Sequence, residues 1–186
     1  MKKLICALIC VLLVLSVCSC DKLISKIKDA TDTKAADTES AKAPETEDLS
    51  NRFVYEGVSV ELPEGFEVKE TSGVTTATYK DYPLHADNIT FVKSDDKISE
   101  YSESALRAEF EKLFGNIGNY SYEKINIGGY EVVVTKLDFE YLGVSMHESI
   151  YTCFINSTSI TVTYASVSGD FDHAFDLSAA SLRIEK

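Results

Sequence analysis

An α+β fold, an antiparallel β-sheet packed against two helices, is what this sequence predicts, and three observations predict it. Apolar and polar residues alternate in short segments, the period of a half-buried strand; Val58, Val60 and Leu62 are one such run. Four long strand-like segments then follow with only a few residues between them, and connections that short force antiparallel neighbours. Two other segments switch to helical spacing.

In chain order, the folded part opens near Arg52. Phe53 to Phe66 reads as a strand, a turn at Pro63-Glu64-Gly65 and a second strand. Val74 to Tyr79 and Asn88 to Val92 are further short strands, separated by the loop that begins Lys80-Asp81-Tyr82-Pro83-Leu84-His85. Leu106, Phe110, Leu113 and Phe114 then share one face of a helix between Ser102 and Gly115. Ser99 or Ser102 can cap its start and Gly115 can end it. A meander follows over Tyr120 to Ile127, Tyr130 to Tyr141, Val144 to Ile155 and Ser159 to Val167. Gly128-Gly129 suits a two-residue hairpin because both glycines can take positive φ; Gly143 and Asn156-Ser157-Thr158 serve the next two turns. Asp170 is placed to N-cap a closing helix whose inner face is Phe171, Ala174, Phe175, Ser178 and Leu182.

The N-terminal quarter has a different character. Lys2 and Lys3 precede an apolar run from Leu4 to Val17 that only Ser16 interrupts. A membrane-spanning helix needs roughly 20 such residues, so the run has the length of a signal-peptide core. It ends Val17-Cys18-Ser19-Cys20, and the small Ser19 before Cys20 looks like a bacterial lipobox. Residues 1–19 are then a lipoprotein signal peptide, and Cys20 carries the acyl chains, palmitate among them, that hold the protein on the extracytoplasmic face of a membrane. Residues 20–50 form the lipidated cysteine and a tether. This segment has no aromatic residue and few large apolar ones after Ile27, so it cannot bury enough surface to offset its ordering entropy. Residues 51–186 are one domain.

Composition narrows the function. Of five cysteines, Cys6, Cys10 and Cys18 leave with the signal and Cys20 takes lipid, so Cys153 stands alone and the mature chain has no internal disulfide. The chain carries 30 acidic and 18 basic side chains, a net charge of −12, and loss of Lys2 and Lys3 makes it more acidic still. Such a protein repels phosphate, which excludes nucleic acid as a partner. A soluble, monomeric domain is the expectation.

No G-x-S-x-G elbow, phosphate-binding glycine loop or Cys–His pairing is present. His85, His147 and His173 fall in a loop, a strand and a helix, without ligand spacing. Asp170, Asp172, His173 and Asp176 are the densest acid–histidine group, yet a helix start accounts for Asp170 and Asp172 without a metal. No catalytic residue, metal or cofactor is therefore assigned. The candidate binding residues are Tyr82, Leu84 and His85, where a loop held by a sheet places apolar groups among polar ones; the alternative is that Tyr82 and Leu84 cover the core.

From Arg52 to Lys186 the chain resembles the PsbP-like fold group, which includes bacterial DcrB-type lipoproteins. The resemblance rests on an opening strand into Leu62-Pro63-Glu64-Gly65-Phe66, a helix after the early strands, a long meander turning at Gly128-Gly129, and a closing helix that ends in Ala180-Ser181-Leu182. Phe66 stands where the family usually has tryptophan. The resemblance implies an antiparallel sheet packed on helices, and an accessory or binding role more often than catalysis. It carries over no catalytic residue.

The reading is a membrane-anchored lipoprotein that binds an envelope protein or a small ligand without catalysis. The alternative is a cell-envelope hydrolase whose site is assembled from non-adjacent residues. The anchor is testable first. Cys20→Ser is expected to release the protein from membranes or to stall its processing, as cell fractionation and gel mobility would report; a variant that stays membrane-bound and normally processed would refute lipidation there.

Overall fold

The computed structural model describes residues 49–71, 73–82 and 86–185; the expected signal peptide, Cys20 and most of the expected tether lie outside them. Ten strands form two antiparallel sheets. β1 (Leu49–Tyr55) and β2 (Val58–Pro63) make a hairpin that the short β10 (Arg183–Ile184) completes in the order β1-β2-β10. The larger sheet runs β3-β4-β5-β9-β8-β7-β6. Its strands are β3 (Phe66–Thr71), β4 (Val74–Tyr79), β5 (Asn88–Ser94), β6 (Ile117–Ile127), β7 (Tyr130–Tyr141), β8 (Val144–Ile155) and β9 (Thr158–Ser166). Two helices, α1 (Glu103–Phe114) and α2 (Asp172–Ala180), complete the α+β arrangement.

The meander forms as its turns require. Gly128 and Gly129 take φ of 61° and 93°, and Leu142-Gly143 and Asn156 also sit in the left-handed region. Such two-residue turns match the twist of the strands they join. Ser102 accepts a hydrogen bond from the Ala105 amide and Gly115 ends α1, as the sequence predicts. Three features differ from expectation. Phe53 to Pro63 is two strands folded back at Glu56-Gly57, with φ of 50° and 84°, and this hairpin belongs to the smaller sheet. β10 has no counterpart in the sequence reading. Asp170 does not cap α2: Phe171 occupies the N-cap position without a side-chain bond. Packing sets that position, because the Phe171 ring is buried against Phe66, Tyr79 and Phe175.

The large sheet separates two apolar cores. On one side Val132, Val134, Ile160, Val162 and Phe91 meet β2, β10 and α2 through Val58, Val60, Ile184 and Phe175. On the other, Val133, Leu137, Phe139, Met146 and Ile150 meet Leu106 and Phe110 of α1. Val132, Val133 and Val134 thus alternate between cores, so β7 is buried on both faces. Burying a side chain such as Phe91 or Leu137 contributes roughly 1.5–3 kcal/mol, so these central strands dominate the stability of the domain.

One residue breaks the apolar rule. Glu148 on β8 is 1% exposed and lies between Leu137 and Ala165 in the ladder. Its Oε2 has no hydrogen-bond partner among the described residues. Burial disfavours the charged form and pushes the carboxyl up to about 8 from an unfolded value near 4.5. A raised carboxyl pKa means the folded state holds the proton more tightly than the unfolded one. Its contribution to stability is complete below the unfolded value and is lost as pH rises towards about 8. Glu148→Gln keeps the shape and removes the titration. Its melting temperature, set against the native chain's, is expected to rise steadily across this window by the equivalent of up to about 1.4 kcal/mol per pH unit, then to level off. A stability difference that does not change with pH would show that Glu148 is not protonated in the fold.

Candidate functional site

Where the two cores end, polar side chains take over. The register pairs Asp138 of β7 with His147 of β8, and His147 with Ser166 of β9, so the three sit side by side on the face that carries α2. Asp138 Oδ1 and His147 Nδ1 are 2.5 Å apart. The Asn119 side-chain amide donates to Asp138 from a bulge in β6, where Asn119 has a φ of 44°. These bonds hold the Asp138 carboxyl below the usual carboxylate range, the His147 contact contributing most. Ser166 Oγ donates to Asp172 Oδ1 in the first turn of α2 at 2.5 Å.

A cleft of about 590 Å³ opens over this row. Asp138, His147, Ser166 and Asp172 line it together with Glu140 and the turn Val167-Ser168-Gly169. Phe114 and Phe139, stacked with ring centroids 3.9 Å apart, form its apolar side. No lysine or arginine lines it. The turn is held from behind by Asp87, fully buried, whose Oδ1 accepts from the amides of Val167 and Ser168 at 3.0 and 3.3 Å and whose Oδ2 accepts from Ser168 Oγ at 2.8 Å.

The row contains an aspartate, a histidine and a serine, the residue types of a nucleophilic triad, but their bonds run otherwise. A triad needs the serine to give its proton to the imidazole. Here Ser166 is 4% exposed and gives its proton to Asp172. The arrangement is a wall of oriented hydrogen-bonding groups. Cys153 offers no alternative nucleophile, since burial pushes its thiol up to about 12.

The residues singled out in the sequence fare differently. Cys20, Leu84 and His85 lie outside the described residues. Tyr82 is half-buried and its amide donates to the Tyr79 carbonyl at 2.9 Å. The acid–histidine group of α2 is divided: Asp172 serves Ser166, Asp176 faces Lys136 at 3.9 Å, and His173 is exposed. Among the described residues no group of three or more acids, histidines and cysteines could hold a metal ion. Asp138, Asn119, Ser166 and Asp87 were not legible as a site, although Asp138 opposite His147 follows by counting once the Leu142-Gly143 turn is placed.

Asp138→Asn tests whether charge holds the row. A depressed carboxyl stabilises the fold above its unfolded value and loses that contribution as pH falls. Asp138 is partly exposed, so solvent screening limits the loss in the variant to no more than about 1 kcal/mol near neutral pH, fading in acid. Urea unfolding in acid and at neutrality would measure it; an equal loss at both would show that the charge of the Asp138 carboxylate contributes nothing.

No protein-family model matches the chain, and no curated protein matches it. Solved structures do share its fold. The cyanobacterial PsbP (CyanoP) of Synechocystis sp. PCC 6803 superposes with a TM-score of 0.52 at 14% identity, over 76% of this chain and 96% of that one. A Bacteroides thetaiotaomicron structure matches 74% of this chain but only 49% of its own length, at 15% identity and a TM-score of 0.48. LpqN of Mycobacterium tuberculosis, described as involved in cell envelope biogenesis, matches 69% of this chain and 83% of its own, at 13% identity and a TM-score of 0.47. At such identities the likeness to CyanoP is one of architecture, and the chain has a PsbP-like α+β fold.

Proposed function

We propose that this chain is an extracytoplasmic lipoprotein of the DcrB type, tethered through Cys20, whose domain binds a small polar ligand in the cleft over Asp138, His147 and Ser166. The observation that carries the proposal is the state of the acid–base groups there. Each is already bonded to a neighbour, which suits holding a ligand and not cycling protons. Carboxylates and hydroxyls without a lysine or arginine along the wall favour neutral polyols or amines over anions. No helix among the described residues is long and apolar enough to cross a membrane.

The test is an NMR titration of the protein with a monosaccharide, a simple amine and inorganic phosphate. Saturable shifts of the His147, Ser166 and Gly169 amides are expected with the sugar or the amine and not with phosphate. They should weaken several-fold in Asp138→Asn. Preferential binding of phosphate would refute the ligand class, and no saturable shift in the cleft would refute the site. Hydrolysis of a wall polymer that Ser166→Ala abolishes would install the hydrolase reading instead.

A further inference from the structure

The other end of the large sheet carries a feature that the cleft does not explain. Among the described residues β6 is the terminal strand of this sheet, and none of its eleven residues is buried. An exposed edge presents unpaired N–H and C=O groups and is usually guarded by charge, a bulge or a cover. At β3, the opposite edge, Glu67, Lys69 and Glu70 are all exposed and provide such a guard. On β6 the guard covers one half only. A bulge between Gly118 and Ser121 disrupts the first part, whereas residues 121–127 pair with β7 in unbroken register. Lys124 would guard this second half, but Glu131 of β7 draws its ammonium back onto the sheet at 2.9 Å.

Beside this half lies a second groove of about 560 Å³, between β6 and α2. Its floor is Ile125, Ile127, Tyr151 and Leu182. Ile125 and Ile127 lie opposite Val132 and Tyr130, on the α2 side, so the strand that exposes the edge also floors the groove. Glu123 and Asp176 stand at the rim. Arg183 donates to the carbonyls of Ala180 and Leu182 on the α2 side of the groove, and Lys136 lies 3.9 Å from Asp176, so the acid at the open edge itself is Glu123. The strand is held firmly: Tyr120 and Tyr122 donate their hydroxyls to the carbonyls of Glu103 and Tyr101 at 3.2 and 2.8 Å.

We propose that β6 is a docking edge for an extended, basic segment of another protein, which adds as a further strand along residues 122–127 and sets apolar side chains into the groove. Main-chain bonds to the open edge supply affinity, alternate side chains supply specificity, and a cation opposite Glu123 supplies charge complementarity. A second copy of this chain is the weaker occupant, because two molecules of net charge −12 repel.

The probe is a fluorescein-labelled hexapeptide, Ile-Thr-Val-Thr-Lys-Thr. Laid antiparallel, it puts Ile opposite Ile127, Val opposite Ile125 and Lys opposite Glu123. Anisotropy with the full-length protein in detergent should show saturable binding. Changing the peptide lysine to glutamate should weaken binding several-fold, and proline in place of the threonine between valine and lysine should abolish it, since that residue lies opposite Lys124, where its N–H faces β6 and donates to the ladder. Amide hydrogen exchange should slow at Tyr122, Lys124 and Asn126, whose N–H groups face the open edge. In Glu123→Lys the preference should reverse towards the glutamate peptide, a rescue that a misfolded variant could not produce. Equal affinity for all three peptides, protection that falls on β3 or in the Asp138 cleft, or no saturable binding would each overturn the proposal. So would self-association through β6 that excludes the peptide, which would make a second copy the occupant.

Discussion

Everything in this domain hangs on the pairing of β7, β8 and β9, a continuous antiparallel ladder that serves as the wall of two cores at once. A strand buried on both faces cannot use the simple alternation of apolar and polar residues. It must be apolar or neutral throughout, which is why Val132-Val133-Val134 runs without a break and why Thr161 and Thr163 alternate with Val162 on β9. Threonine is tolerated there because it keeps the β-branched shape and its hydroxyl finds local partners, as Thr152 and Thr161 do across the strands. Glu148 is the exception, and the low polarity around it turns an acid into a neutral group.

The same ladder positions the cleft. Its strands extend past the apolar cores, and the first polar row beyond them is Asp138, His147 and Ser166. Since paired residues of adjacent strands share a face, three positions far apart in sequence become immediate neighbours. The loops at this end are fastened by carboxylates. Asp172 fixes the start of α2 to β9, and buried Asp87 fixes the loop before β5 to the Val167-Ser168 turn. A cleft between elements fastened in this way has a fixed shape, which would reduce the ordering cost of the ligand binding proposed for it.

The sequence alone determined the order and type of most elements. Periodicity located α1 and the four meander strands. Glycine pairs located the turns, because few other residues tolerate the positive φ that two-residue hairpins need. The expectation that residues 1–19 direct export rests on their charge pattern and length alone, and they lie outside the described residues. Tertiary structure decided what depends on contacts between distant segments. Alternation around Glu56-Gly57 could not show that β1 and β2 leave the main sheet, and β10, only two residues long, has no pattern of its own. Phe171, not Asp170, begins α2 because ring packing outweighs a single capping bond. Asp138, His147 and Ser166 read as unremarkable strand residues, since their chemistry arises only from register. An open edge at β6 is likewise a property of strand order, which depends on the long-range pairing of β9 with β5 and cannot be read from local sequence.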